Sequence, residues 1–212
     1  MITKQEYNLI LQKCKEIPPA QGMYLIDDYV ENLMLTVLDF QMHNVAVFNA
    51  VKHYRDNRFN EIRTIDDLKL LLSKYADDKE GNTAIAKHLW GNRHWTRVSL
   101  LRKLTTYFES IGVTSQEALH HWAEKSNFEK DFKGKIPGIG YAIYKWLVMR
   151  QGVETVKPDT HLIHFVESII HHSFTEEELV DVLEKIAKQL GLKAYELDWK
   201  IWEHQRGQKG NI

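Results

Sequence analysis

The stretch KIPGIGYAIYKWLVMRQGVETVKPDTHLIHF (residues 135–165) sets a tight glycine turn and a lone carboxylate within one short span. Pro137, Gly138, Ile139 and Gly140 run straight into an amphipathic segment at Tyr141, and eighteen residues then separate Gly140 from Asp159, which stands directly behind Pro158. A proline followed by Gly-x-Gly between helical patterns lets the chain reverse tightly, and the absent glycine side chains let backbone amides approach a ligand. Amides at the start of a helix near Tyr141 would make a site for a phosphate; the same turn also serves as a plain connection between helices. Asp159 opens another helical pattern, where the helix dipole favours negative charge and where aspartate is a frequent N-cap. A catalytic carboxylate and a simple cap are both open at that position.

Outward from this stretch, apolar residues recur with a period of 3.6 and almost no strand alternation. The pattern predicts helices over residues 4–16, 29–41, 45–55, 67–75, 95–110, 116–125, 141–150, 160–171, 176–190 and 195–205. Capping-box signals stand at Thr64 (TIDD), Thr114 (TSQE) and Thr175 (TEEE). The fold class is all-α. PPAQG (residues 18–22) detaches the first helix, and GVETVKP (residues 152–158) reads as a joint. These breaks suggest a central helical domain over residues 23–152, including the turn, and a second built from residues 1–22 with 153–212.

Composition narrows the function classes. A chain of 212 residues with 43% hydrophobic content folds, and charge interrupts every long apolar run. Its N-terminus lacks the apolar core of a signal peptide, which points to the cytoplasm and away from membranes. Cys14 is the single cysteine, so it cannot form an intramolecular disulfide or by itself hold zinc or an iron–sulfur cluster. The histidines are too scattered to suggest a metal site; no metal is expected. Net charge is −1, which argues against coating nucleic acid by charge alone. Two stretches nevertheless hold basic residues and no carboxylate: Lys87, Arg93, Arg97, Arg102 and Lys103, then Lys133, Lys135, Lys145 and Arg150. Each is either a solvated helix face or part of an interface, and the second surrounds the glycine turn.

The pair IPGIG (residues 136–140) and DTHL (residues 159–162) resembles the helix-hairpin-helix DNA glycosylases related to endonuclease III, the adenine-mismatch glycosylases and the alkylated-base glycosylases. Their hairpin LPGxG is followed by a helix, a loop and DTHV. A weaker likeness covers most of the chain after residue 25: VENLMLTVLDFQ (residues 30–41) resembles the family's early apolar helix ending in glutamine, and YELDWKIWEHQRG (residues 195–207) its closing helix. The resemblance implies two helical lobes, a helix-hairpin-helix motif and a cleft between the lobes. It implies a monomer that binds double-stranded DNA and flips a damaged or mispaired base into that cleft. Hairpin residues Lys135, Pro137, Gly138, Ile139, Gly140 and Tyr141, with Lys145, would contact the DNA backbone, sometimes with a monovalent cation on the hairpin carbonyls. Gln41 would fill the gap left by the flipped base. Asp159 would stabilise the oxocarbenium-like sugar as the N-glycosidic bond breaks.

Departures from that pattern refine the expectation. Members that also cut the strand place a lysine two residues after the hairpin's last glycine, where its amine forms a Schiff base; here the slot is Ala142. The four-cysteine cluster loop is absent. His164 replaces an arginine common three residues beyond the histidine of the DTH motif. The implied enzyme is a monofunctional glycosylase without a cluster, directed at alkylated purines or mispaired pyrimidines, with a non-catalytic DNA-binding protein as the alternative. Trp90, Trp95, Trp146, Trp199 and Trp202 read as core aromatics before base-stacking ones.

Overall fold

A computed structural model describes residues 2–20, 25–40 and 42–209. Among them every regular element is helical: α1 (Lys4–Glu16), α2 (Tyr29–Leu38), α3 (Asn44–Asn57), α4 (Ile65–Ser73), α5 (Lys79–Trp90), α6 (Trp95–Ser110), α7 (Gln116–Lys125), a π-helical turn (Phe128–Phe132), α8 (Tyr141–Arg150), α9 (Thr160–Glu167), α10 (Glu176–Leu190) and α11 (Ala194–Lys209). The all-α expectation holds. None of these helices is long and apolar enough to cross a membrane.

The chain divides into two compact units, Ile26–Leu147 and Met1–Leu25 with Val148–Ile212. In the first, α2 is buried on almost every side, as a helix apolar all round must be, and α3, α4 and α6 pack on it. Its polar groups are satisfied locally. Asp28 caps it through the Glu31 amide, buried Glu31 accepts two bonds from Arg55 (2.9 and 2.5 Å), and Asn32 donates to the Ile26 carbonyl (2.8 Å). In the second unit α1 packs on α10, and α11 on both α9 and α10. Cys14 is fully buried there, and that burial pushes its thiol up to about 12.

The sequence periodicity does not predict helix α5. Gly81, Asn82 and Thr83 weaken its propensity, but tertiary bonds impose it. Asp78 caps the Gly81 amide (2.7 Å), and Asn82 is held by Asp77 (2.8 Å) and by Arg102 of α6 (2.8 Å). Gly81 is required, since a Cβ there would lie 2.3 Å from the Ala76 carbonyl oxygen. The boxes at Thr64 and Thr175 form, whereas the one expected at Thr114 does not. Ser115 is that cap and accepts from the Ala118 amide. An unforeseen box joins Thr3 and Glu6.

Candidate functional site

In the unit formed by Ile26–Leu147, Ile136 to Ile139 make a type II β-turn. The Ile139 N–H donates to the Ile136 carbonyl (3.1 Å), Pro137 occupies the second position, and Gly138 the third with φ +91°. An L side chain is strained at that φ, which is why glycine stands there. Gly140 then caps α8: its carbonyl accepts from Tyr144 N–H (3.1 Å), and it has no side chain to compete for the first helical amides. Pro137, Gly138 and Gly140 are exposed while Ile136 and Ile139 are buried, so two apolar anchors hold the turn with its glycines outward.

The anchoring surface is aromatic. Phe128 lies edge-on to Tyr141 (5.1 Å between centroids), Phe132 packs against Tyr144 (5.5 Å) and Trp122 (5.9 Å), and Tyr144 donates to the Ser126 carbonyl (2.9 Å). The π-helical turn Phe128–Phe132 contributes two of these rings, Phe128 and Phe132. Tyr141 and Ala142 are half-buried, and the Lys145 ammonium sits 5.4 Å over the Tyr141 ring, one helical turn along.

Other groups of the fold engage part of each basic stretch. Lys133 is exposed and pairs with Glu129 (2.9 Å), Arg150 is buried, and Lys135 is exposed beside the turn. In the other stretch Arg102 serves the bonds around Asn82, faces Asp77 (3.6 Å) and donates to the Tyr75 carbonyl (2.9 Å), while Arg97 stacks on Phe40 (5.0 Å). Lys87, Arg93 and Lys103 remain exposed. Gln41 lies outside the described residues. Trp90 is core, its indole N–H pointing at the Met34 sulfur (3.0 Å).

In the other unit, Asp159 caps α9. Its Oδ1 accepts from the His161 and Leu162 amides (2.8 and 3.3 Å), and its Oδ2 faces the Lys157 ammonium at 3.7 Å. One oxygen thus does the capping and the second is held only by a loose ion pair. The side chain is 18% exposed, enough for contact with solvent or a ligand. Pro158 is buried at the centre of a three-residue turn closed by Asp159 N–H to the Lys157 carbonyl (2.7 Å). Behind it, Thr155 and Val156 are buried too, while Gly152 and Glu154 are exposed.

Helix α11 lies against this corner. Asp198, 4% exposed, accepts the Lys157 N–H at 2.6 Å. Burial above all pushes its carboxyl up to about 8; the Asp159 charge adds to this, while the Lys157 amide and ammonium oppose it. One turn on, Trp202 stacks on Trp199 (4.5 Å) and meets the His161 ring edge-on (6.0 Å), with Arg206 over its face (4.6 Å). Sequence pattern alone does not single out Asp198 and Lys157. An acid in LDWK reads as a surface residue until its buried partner is known.

The fold and these groups define an all-helical protein with an outward glycine turn at one helix start and a partly exposed carboxylate at another. The chain belongs to the family described as Domain of unknown function (DUF8548), which it matches over residues 8–206. No curated protein and no solved structure matches it.

Proposed function

We propose that the chain is a monofunctional DNA glycosylase that hydrolyses the N-glycosidic bond of a flipped, damaged or mispaired base. The observation that carries this reading is the Asp159 carboxylate. It is fixed by two amides through one oxygen while the other is left with a loose ion pair, the disposition an acid needs to face a developing positive charge. Cleavage places that charge on the sugar, and a preorganised carboxylate beside the anomeric carbon stabilises it and orients the attacking water.

The turn at Ile136 to Gly140 supplies the grip in this reading, as the hairpin of a helix-hairpin-helix motif. Its exposed glycines leave room for a phosphate against the first amides of α8. A monovalent cation would meet the turn's carbonyls, Ile136 among them, whose oxygen keeps a second lone pair beyond the Ile139 bond. Lys135 adds a phosphate contact, and Lys145 steadies Tyr141. Ala142 offers no amine for Schiff-base chemistry, so water completes the reaction and the strand stays intact.

The test is incubation with a panel of duplexes carrying alkylated, oxidised, deaminated or mispaired bases, each product split with and without hot alkali. Alkali-dependent cleavage at one class of base is the expected result. A folded protein that binds duplexes but releases no base throughout the panel would favour the non-catalytic alternative, in which Asp159 is only a cap.

A further inference from the structure

We infer that Asp198 is the positioning residue of the Asp159 corner: its buried carboxyl holds the backbone of Lys157, and Lys157 holds Asp159. The inference deepens the glycosylase reading and rests on it for the role of Asp159. The linkage is continuous. Asp198 Oδ2 accepts the Lys157 N–H at 2.6 Å, the Lys157 carbonyl accepts the Asp159 N–H at 2.7 Å, and the Lys157 ammonium stands 3.7 Å from Asp159 Oδ2. Buried Pro158 stiffens the turn between them. Helix α11 thereby sets the position of a side chain on the loop leading into α9.

A buried carboxyl is a costly way to accept one amide bond, which a neutral side chain would do as well. Its chemistry therefore matters. The ionisable groups that bear on Asp198 are Asp159 and Lys157, and burial keeps the acid protonated up to about pH 8. In that state it accepts through its carbonyl oxygen and adds no charge. Above that pH a second negative charge stands beside Asp159, with the Lys157 ammonium shared between them. The corner then loosens.

The test compares Asp198→Asn, which keeps an acceptor and a donor but cannot ionise, with Asp198→Ala, which removes the acceptor. Both are made in the full chain. On a duplex the wild type processes, single-turnover base release by the wild type should fall as pH rises through about 8. Asp198→Asn should match the wild-type rate at pH 7 and lack this alkaline fall. Asp198→Ala should lose on the order of tenfold or more in rate with duplex affinity unchanged. A second readout needs no substrate: the Lys157 amide NMR shift should titrate near pH 8 in the wild type and stay flat in Asp198→Asn. A Lys157 amide that does not titrate there, an Asn variant that keeps the alkaline fall, or a folded Ala variant at full rate would overturn the inference. If the amide titrates as expected but no duplex loses a base, the hold of Asp198 on Lys157 stands and the glycosylase reading fails.

Discussion

Asp159 and Asp198 share Lys157, yet only the first keeps appreciable contact with water. Asp159→Asn preserves the shape and the oxygen that caps α9 but removes the charge. Base release is expected to drop by roughly two orders of magnitude or more while lesion binding persists, measured by single-turnover release beside a binding titration. Full activity in the folded variant would remove Asp159 from the mechanism. Asp198 carries a stability consequence whose sign follows from its raised value. Its contribution is complete below the unfolded carboxyl value of about 4 and declines as pH climbs toward about 8, because the unfolded chain releases the proton first. Thermal unfolding should therefore show Asp198→Asn melting above the wild type at pH 8, with the gap closing in acid. Spacing to the glycine turn made Asp159 visible in the sequence. Asp198 was invisible there, because its role comes from an amide forty-one positions away in the chain.

At the scale of elements, periodicity sufficed where a helix carries its own amphipathic face and cap. Helices α1, α6, α7, α8 and α10 fall on their predicted bounds. It failed for α5, whose poor formers are held by Arg102 and Asp77 from other elements, and for the π-helical turn, whose reason is the aromatic packing behind the glycines. The turn itself allows a clean separation of folding from binding. Gly138 has φ +91°, so any side chain there strains the backbone whatever binds. At Gly140 φ is ordinary and an added Cβ would meet nothing within 4 Å. Gly140→Ala is accordingly expected to melt close to the wild type and yet bind all duplexes more weakly, by several-fold or more, if a phosphate approaches the α8 amides. Unchanged affinity in that variant would make the turn a connector. Helix α10, in the other unit, offers a control: Thr175→Ala removes a capping box and should cost about 1 kcal/mol in denaturant unfolding without changing DNA binding.

For the molecule as a whole, the proposed function raises the question of how much nucleic-acid affinity charge could supply. The sequence shows nine basic residues in two stretches without a carboxylate, but it shows nothing of their partners. Folding engages Lys133 with Glu129, Arg102 with Asp77 and the groups around Asn82, and Arg97 with the Phe40 ring, and it buries Arg150. Of these nine, Lys135 beside the turn and Lys87, Arg93 and Lys103 in the same unit are exposed outside those contacts, and Lys133 is exposed but paired, on a chain of net charge −1. Under the proposed function, a chain of this net charge is expected to gain affinity from a few placed contacts and from the extruded base rather than from a broad phosphate footprint. The logarithm of the binding constant should fall with the logarithm of salt at a slope near −0.9 for each phosphate neutralised, giving about −2 to −4 in all. Lys135→Ala should lower that slope by about one without changing preference among bases, since a phosphate contact carries no sequence information. A slope steeper than about −6, or one untouched by Lys135→Ala, would place the DNA on another surface, and the grip assigned to the glycine turn would fall with it.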